Sequence, residues 1–538
     1  MTTEKDAPAA PEEPPRGVTG FKLMARASVV SGMTLLSRIL GLVRDVVFAR
    51  FFGASLVMDA FLVANRIPNM LRRFFAEGAF SQGFVPVMAR YRERHDHEDA
   101  QEFVDAVAGT FGLVLFVVTL AGVIAAPLLV AIVAPGFIGE DGRFDLATLM
   151  LRFTFPYLFF VSLTAFAGGI LNTYGRFAVP AFTPVILNIV LIAGAVWLSP
   201  QLEEPGMALA YAVFVAGICQ LVFQVPFLLQ IRSLPRPKWA PAHEGVKRAA
   251  KVMLPAIFGS SVAQINVLLG GIIASLLGVG KISLLYYSDR LMEFPLGLFG
   301  IALATVTLPY LSRQAANESH DEFLETLDWS MKLVLLIAVP AAIGLIVLAD
   351  PLVATIFYGG EFSAFDVSMT GLALQAFAIG LVGFSFVKIL APAYFAREDT
   401  KTPVKYGLIA LAVNFTLSVA LAWYLTRIGH PGPHAGLALA ISVAALLNAL
   451  LLYLGLQRDG FIRHGHGWAA LLGRIVLANA AMWFALSQVH RPTSWWLEHG
   501  VMDRVGWLAV SIAAGVGVYF VVLFVLGMRT SDFRLRQS

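Results

Sequence analysis

Charged residues and cysteine are scarce in this sequence of 538 residues. Only 14% of the residues are charged, whereas an average soluble protein has about 25%, and 58% are apolar. The single cysteine, Cys219, excludes an intrachain disulfide and a site built from four thiolates. The composition also excludes a disordered protein, a disulfide-rich secreted domain and a typical nucleic-acid binder. A mean hydropathy of +0.75 instead indicates a polytopic membrane protein.

Sequence patterns of common enzymes are missing as well. The chain contains no Walker A sequence, no HExxH and no GxSxG. The histidine pairs His95/His97 and His464/His466 lie in polar loops, where solvated side chains are a simpler interpretation than a metal site. We therefore expect a protein that is not an enzyme, and we assign it no cofactor and no nucleic-acid partner.

Long apolar runs follow a polar, proline-containing N-terminal tail. A membrane-spanning helix needs about 20 mostly apolar residues, and most of the runs are apolar on all sides, which is typical of helices surrounded by lipid or by other helices. The fold class predicted is an all-α polytopic membrane protein with about 14 transmembrane helices. The predicted spans are 28–52, 59–88, 103–134, 147–171, 179–199, 206–230, 250–277, 284–311, 329–349, 366–394, 403–425, 434–456, 468–489 and 505–527.

Lysine and arginine are distributed unequally between the loops. With the N-terminus in the cytoplasm, 24 of the 39 lie on the cytoplasmic side and five on the opposite side. Cytoplasmic loops carry the excess of positive charge in membrane proteins, so both termini are predicted to be cytoplasmic. Residues 1–25 are polar, with several acids and Pro8, Pro11, Pro14 and Pro15, so they are predicted to be a disordered cytoplasmic tail. The first apolar run is too long for a cleavable signal peptide.

A weak internal repeat recurs at an offset of about 220–230 residues. NRIPN…FVPVMAR (65–90) resembles DRLMEF…TLPYLSR (289–313), TYGRFAVPAFTPV (173–185) resembles AYFAREDTKTPV (393–404), and GMALAYAV (206–213) resembles GLALAISV (436–443). Each repeat holds six spans, which predicts two pseudo-symmetric lobes around a central cavity. The expected organisation is a tail (1–25), an N-terminal lobe (26–232), a cytoplasmic linker (233–249), a C-terminal lobe (250–460), helices 13 and 14 (461–530) and a second tail (531–538).

Charged side chains lie inside the first two predicted spans. Each costs about 2.5–3.5 kcal/mol near the bilayer centre on insertion scales. Asp59, Arg66 and Arg73 are spaced by seven residues, and Glu77 follows four residues later. This spacing places them in one stripe of a straight helix, which is expected to bend where Pro68 interrupts it.

The arginines outnumber the acids around them. Arg66 and Arg290 occupy equivalent positions of the repeat, so we expect them to face each other across the cavity. Excess buried positive charge needs an anion, and arginine suits phosphate because it binds through two parallel hydrogen bonds. We therefore predict a water-filled cationic cavity for a phosphate-bearing substrate, with Arg38, Arg44, Arg72 and Arg290 as its main cations. Snorkelling to the interface, or pairing with an acid, is the simpler interpretation of Arg50, Arg73 and Lys388.

Four segments closely resemble the MurJ family, also called MviN. They are SRILGLVRDVVFARFFGASLVMDAF (37–61), LRRFFAEGAFSQGFVPV (71–87), YSDRLMEFPLGLFGIALATVTLP (287–309) and KTPVK (401–405). These proteins are lipid II flippases of bacterial peptidoglycan synthesis, in the multidrug/oligosaccharidyl-lipid/polysaccharide exporter superfamily. The resemblance extends over roughly residues 25–530.

The resemblance implies a function and a set of site residues. The substrate would be lipid II, an undecaprenyl-diphosphate disaccharide pentapeptide, moved between the leaflets of the bacterial inner membrane by alternating access without ATP. The required cavity residues of the family match Arg38, Arg44, Asp59, Arg72 and Arg290, and Glu77 lies in the same motif. Helices 13 and 14 would form a groove for the lipid tail. A sodium ion is implicated in some members, but the motifs do not place its ligands. Membrane lipid and other cell-wall synthesis proteins are the further partners expected.

Three alternatives remain open from the residues themselves. A flippase for another lipid-linked oligosaccharide would share the cationic cavity. A drug/cation antiporter of the same superfamily predicts twelve spans and an acidic cavity. A membrane glycosyl- or phosphotransferase would need an acidic metal-binding motif at the membrane face, which the sequence lacks.

Overall fold

The structure is a computed structural model that describes residues 20–73, 84–94, 97–139, 142–297, 310–314, 319–462 and 467–529, with side chains except at 20–27, 94 and 254–263. Within these residues the secondary structure is helical apart from one isolated bridge between Gly359 and Phe362. The prediction of an all-α protein is therefore confirmed for the part of the chain that is described. The predicted site residue Glu77 lies outside the described residues.

Nineteen α-helices lie within the described ranges. The first half of the chain forms α1 (Gly20–Phe52), α2 (Leu56–Arg72), α3 (Val85–Arg94), α4 (His97–Ile124), α5 (Ala126–Val133), α6 (Arg143–Thr154), α7 (Tyr157–Thr173), α8 (Ala178–Ala193) and α9 (Met207–Gln230). The second half forms α10 (Glu244–Ser275), α11 (Lys281–Pro295), α12 (His320–Val347), α13 (Ala349–Ile356), α14 (Ala364–Phe395), α15 (Lys401–Arg427) and α16 (His434–Arg458). The last three are α17 (Trp468–Val489), α18 (Thr493–Glu498) and α19 (Val501–Val525).

Ten helical segments of the described residues are long and apolar enough to cross a membrane. They coincide with ten of the fourteen predicted spans, so the protein is polytopic as predicted. The other four predicted spans fall on α1, α2, α10 and α11. Three of these helices, α1, α2 and α11, carry the charged side chains singled out from the sequence, and α2 and α11 have only 17 and 15 residues. Charge and length thus distinguish these three helices from the ten apolar segments.

The helices run back and forth between two ends of the bundle. One end, here the turn end, carries the connections 53–55, 276–280 and 357–363, and the other, the linker end, carries 231–243 and 396–400. At the turn end, one hydrophobic core unites α1, α2 and α6 with α11, α13 and α14. Toward the linker end, the described residues form separate cores, one around Phe103 and one around Tyr394. The two halves of the chain are therefore packed together at the turn end.

Prolines inside the helices are accommodated without breaking them. A proline removes one N–H and frees the carbonyl four residues earlier. The helix α2 continues through Pro68 to Arg72, so the expected interruption is wrong, and the Thr154 hydroxyl of α6 donates to the freed carbonyl of Ala64 at 3.1 Å. Pro340 of α12 is accommodated in the same way, because the Tyr519 hydroxyl of α19 donates to the Leu336 carbonyl at 2.8 Å. A hydroxyl from a neighbouring helix replaces the missing partner in both cases.

The two C-terminal helices α17 and α19 pack against each other and onto α12. Their shared core includes Leu471, Met482 and Leu523. At the linker end, the Trp468 indole donates to the Asp328 carboxylate of α12 at 2.7 Å. Together with the Tyr519 hydrogen bond, this contact attaches both helices of the pair to α12.

Candidate functional site: a cationic cluster between the two halves of the bundle

A cluster of charged side chains lies where α1 meets α11. Asp45 and Arg44 come from α1, and Arg290 and Glu293 come from α11. Asp45 is buried, and its Oδ1 accepts from Arg44 Nε at 3.0 Å and from Arg44 Nη2 at 2.7 Å. Its Oδ2 forms an ion pair with Arg290 Nε at 3.4 Å. One carboxylate is thus shared by an arginine from each half of the chain.

Tyr286 joins the same cluster from α11. Its hydroxyl donates to Asp45 Oδ1 at 2.7 Å, and its oxygen accepts from Arg44 Nη2 at 3.1 Å. The Arg290 guanidinium lies over the Tyr286 ring, 5.0 Å from the centroid. These contacts cross between α1 and α11, so they depend on the two halves being close at this level.

Asn188 completes the surroundings of Arg44 from a third helix, α8. Its Oδ1 accepts from Arg44 Nη1 at 3.0 Å, and its Nδ2 donates to the Ser37 carbonyl of α1 at 3.1 Å. The Asn188 side chain is buried. An uncharged amide therefore fixes Arg44 without neutralising it.

The two arginines of the cluster differ in exposure. The Arg44 side chain is 14% exposed, whereas that of Arg290 is 39% exposed and pairs with Glu293 at 3.0 Å. Because Arg290 retains more accessible surface, it is the guanidinium of this pair that is more open to an incoming anion.

Two further predicted cavity arginines lie against glycines of the second half of the chain. A Cβ on Gly297 would overlap the guanidinium of Arg38, and a Cβ on Gly271 would overlap that of Arg66. Arg38 is exposed, whereas Nη1 of Arg66 is buried and has no hydrogen-bond partner within the described structure. Both guanidinium groups therefore reach from the first half to bare backbone of the second half.

The predicted opposition of Arg66 and Arg290 is not tested by these contacts. Arg66 lies against Gly271 of α10, whereas Arg290 belongs to the Asp45 cluster. Arg72 contacts its own helix, where its Nε donates to Asn69 Oδ1 at 3.4 Å.

Asp59 lies apart from the arginine cluster and binds the N-terminus of α11. Its Oδ2 accepts from the Gly280 N–H at 2.6 Å, and its Oδ1 accepts from the Ser283 N–H at 2.9 Å and the Ser283 hydroxyl at 2.6 Å. The side chain is fully buried. A carboxylate at a helix N-terminus is favourable because it satisfies free N–H groups and faces the positive end of the helix dipole. Asp59 thus links the first half of the chain to the second at the turn end.

The residues that the sequence suggests as snorkelling cations have different surroundings. Arg73 is exposed, whereas Lys388 is partly buried and its Nζ donates to the Leu296 carbonyl at 3.4 Å. Nε of Arg50 is buried and has no hydrogen-bond partner in the described part of the chain.

A metal centre has no support in the described residues. Within them, no group of three or more His, Cys, Asp or Glu side chains is placed to hold a metal ion. The sodium ion implied by the family resemblance therefore has no assigned ligands.

Sequence reasoning missed Tyr286, Asn188 and Ser283. Tyr286 lies four residues before Arg290, a spacing that places two side chains on one helix face and could have revealed it. Asn188 is a polar residue within an apolar span, which is itself a signal of function. Nothing in the local pattern indicates that Ser283 would meet Asp59, which is 224 residues earlier.

The fold and the cluster define a polytopic helical membrane transporter. The family model described as lipid II flippase MurJ matches residues 48–529. The chain therefore belongs to the MurJ family of lipid II flippases, which are transporters and not enzymes.

Individual relatives agree with the family model. A probable lipid II flippase MurJ of Vibrio cholerae serotype O1 is 44% identical over 520 residues, which cover 95% of this chain and 98% of that protein. Lipid II flippase MurJ of Burkholderia cenocepacia is 42% identical over 517 residues, with coverage of 94% and 98%. A solved structure titled lipid II flippase MurJ, inward closed conformation, has a TM-score of 0.75 at 27% identity and covers 92% of this chain and 98% of its own.

A more distant neighbour shares the fold alone. An inward-facing MATE family multidrug transporter has a TM-score of 0.63 at 16% identity and covers 83% of this chain and 99% of its own.

Proposed function

We propose that this chain flips lipid II from the cytoplasmic to the periplasmic leaflet of the bacterial inner membrane. The observation that carries the proposal is the arginine cluster between α1 and α11, in which one buried carboxylate is shared by Arg44 and Arg290. A diphosphate needs charge-assisted hydrogen bonds when it leaves water, and arginine supplies them in pairs. Membership of the MurJ family supports lipid II as the source of that diphosphate.

The proposed site contains the residues expected from the sequence. Arg290 and the exposed Arg38 offer accessible guanidinium groups, and Arg44 shares the Asp45 carboxylate with Arg290. Asp59 acts at the turn end by capping α11, and not as a ligand of the substrate. The proposed substrate site comprises Arg38, Arg44, Arg66, Arg72 and Arg290, with Glu77 from the same motif, and Asp59 supports it from the turn end.

Transport proceeds by rocking of two lobes, 26–232 and 250–460, joined by the linker 233–249. The packing together of the two halves at the turn end, with separate cores toward the linker end, supports this proposal. Such an arrangement suits a cavity that is closed at the turn end. Helices α17 and α19, which are anchored on α12, provide the apolar surface proposed for the lipid tail.

Complementation tests the function directly. The chain should restore growth of a bacterium depleted of its own lipid II flippase, and the purified protein should flip lipid II in liposomes. Arg290→Ala serves as the matched inactive variant. A well-expressed, correctly inserted chain that flips another undecaprenyl-diphosphate oligosaccharide but not lipid II would contradict the proposal.

The proposed orientation places both termini and the linker in the cytoplasm. In a Cys219→Ala background, Ala242→Cys in the linker should be protected from an impermeant external thiol reagent, and Ser494→Cys should react. Both positions are exposed, so protection reports the side of the membrane. Ser233, at the start of the same linker, is unsuitable for labelling because its side chain is buried. The reverse labelling pattern would overturn the orientation.

A further inference from the structure

We propose that Asn188 and Tyr286 are positioning residues that hold the Arg44 guanidinium in the orientation needed to bind the substrate diphosphate. This inference rests on the proposed function and adds two uncharged side chains to the site. Asn188 acts from α8 of the same half of the chain, and Tyr286 acts from α11 of the other half.

Three helices fix the plane of the Arg44 guanidinium. Asp45 of α1 accepts from Nε and Nη2, Tyr286 of α11 accepts from Nη2, and Asn188 of α8 accepts from Nη1. Arginine has five N–H donors in a rigid fork, and these contacts use four of them. One Nη1 hydrogen remains available to a ligand in this state. A diphosphate that displaced Asp45 would also accept hydrogen bonds from Nε and Nη2.

Asn188 is itself held rigidly. Its Nδ2 donates to the Ser37 carbonyl on the helix that carries Arg44, so α8 and α1 share both ends of one buried amide. The side chain is 5% exposed. A buried amide with both ends satisfied has one orientation, because flipping it would bring its N–H groups against the guanidinium. Asn188 therefore holds the Arg44 guanidinium in one orientation.

The positioning partners also preserve the positive charge of the site. The amide oxygen of Asn188 and the phenol oxygen of Tyr286 accept hydrogen bonds without carrying a negative charge. Asp45 is the charged partner of Arg44, and it is shared with Arg290. A second carboxylate in place of Asn188 would orient Arg44 equally well but would compete with the phosphate for it.

Tyr286 and Asn188 differ in when they act. The Tyr286 contacts cross between the two halves of the chain and exist only while α1 and α11 are close. The Asn188 contacts lie within the first half and persist when the halves separate. Arg44 thus keeps its orientation through Asn188 while Tyr286 contributes in the closed arrangement.

Binding of lipid II to the purified protein in nanodiscs tests the proposal. Asn188→Leu should weaken binding about tenfold, as expected for the loss of a hydrogen bond to a charged group. Tyr286→Phe should weaken it less, because Asp45 and Asn188 still hold Arg44. In an Arg44→Ala background, Asn188→Leu should change the affinity by less than about twofold, since its partner is gone.

Two controls separate positioning from structural support. Gln220→Met removes a buried amide that donates to the Thr183 carbonyl of α8, and Tyr394→Phe removes a buried hydroxyl that donates to the Leu452 carbonyl. Both should leave lipid II affinity unchanged. Asn188→Asp keeps the shape of the side chain and the acceptor for Arg44 but loses the donor to the Ser37 carbonyl, so its thermal stability is measured alongside binding. It should weaken binding by at least about tenfold, because a carboxylate now competes for Arg44.

The outcomes distinguish this inference from the proposed function. Equal weakening by Asn188→Leu with and without Arg44 would overturn the positioning role and leave the flippase function intact. An Asn188→Asp variant that binds like the wild type would also overturn it. Failure of the wild-type protein to bind lipid II would contradict the proposed function itself.

Discussion

The charged side chains of the cluster attract an anion, but they must also allow it to be released. Asp45 lies between Arg44 and Arg290, where the proposed diphosphate would bind, and it is buried. A substrate that must leave on the other side of the membrane cannot be held by one very tight contact. An internal carboxylate that competes with the phosphate keeps binding reversible.

Removal of a single cavity arginine should stop transport. Arg44→Ala, Arg72→Ala and Arg290→Ala should each reduce lipid II flipping by at least about tenfold, since a charge-assisted hydrogen bond contributes roughly 1.5–3 kcal/mol. Lysine should restore part of the activity, because it keeps the charge and loses the planar fork. The measurement is flipping by variants matched for membrane abundance, with Arg50→Ala as the milder control. Normal rates in all three alanine variants would make these arginines structural.

The charged residues could be found from the sequence, whereas the contacts that their uncharged partners make could not. Arginine inside an apolar span is conspicuous because of its desolvation cost, so Arg38, Arg44 and Arg290 are evident from their positions within predicted spans. Asn188 and Tyr286 are uncharged, and they lie 144 and 242 residues from Arg44. Their role arises from the packing of α8 and α11 beside α1, and this packing is not encoded in any local spacing.

At the scale of helices, two adjacent glycines of α10 allow the effect of one close contact on stability to be isolated. Gly271 lies against the guanidinium of Arg66, whereas a Cβ on Gly270 would meet open space. Both Gly→Ala changes raise helix propensity by roughly 1 kcal/mol. Gly270→Ala should therefore maintain or raise the melting temperature, and Gly271→Ala should lower it by displacing a buried cation.

The dependence on Arg66 checks this explanation. In an Arg66→Ala background, Gly271→Ala should no longer lower the melting temperature, because the displaced group is absent. Thermal unfolding of the four variants in one detergent provides the measurement. A decrease that persists without Arg66 would mean that Gly271 is needed for backbone packing instead.

The hydroxyl groups that donate to the carbonyls freed by Pro68 and Pro340 should stabilise the folded protein. Tyr519→Phe leaves the Leu336 carbonyl of α12 unpaired, and Thr154→Val does the same to the Ala64 carbonyl of α2. Each change should lower the free energy of unfolding by roughly 1–2 kcal/mol, the range for hydrogen bonds between membrane helices in model peptides. Unfolding in a mixed-detergent titration measures the effect. Tyr424→Phe, at an exposed position on α15, is the matched control and should be neutral; an equal loss there would contradict the explanation.

Helix existence was predictable from apolar length, but helix continuity at prolines was not. Pro68 is a local signal for interruption, and the structure overrides it with a hydroxyl from α6, 86 positions away from the proline. Likewise, the repeat predicted two six-helix units, yet the contact of Asp59 with the N-terminus of α11 depends on how these units meet. Contacts between units are long-range properties that periodicity does not contain.

At the scale of the whole molecule, the closed turn end combines apolar and polar contacts. Buried side chains such as Phe48 and Tyr287 share one core across the two halves, and Asp59 caps α11 at its edge. Opening this end would expose apolar surface and leave the N–H groups of Gly280 and Ser283 without their carboxylate. Separation of the halves at this end must therefore be driven by favourable interactions that form elsewhere, and the proposed binding of a diphosphate at Arg44 and Arg290 would supply them.

Crosslinking across the turn end should therefore trap the protein and stop transport. Ala54 precedes α2 and lies beside Gly280, at the start of α11. Gly280 has a φ of +80° and its Cβ would crowd the Ala54 carbonyl, so Val279, which is 47% exposed, is the better partner position. In a Cys219→Ala background, Ala54→Cys with Val279→Cys should react with a short, cleavable bifunctional thiol reagent. If the lobes rock apart here, the crosslink should abolish lipid II flipping, and cleavage should restore it, whereas each single-cysteine variant treated with the same reagent should stay active. A fully crosslinked protein that flips lipid II at the normal rate would show that this end does not open during transport.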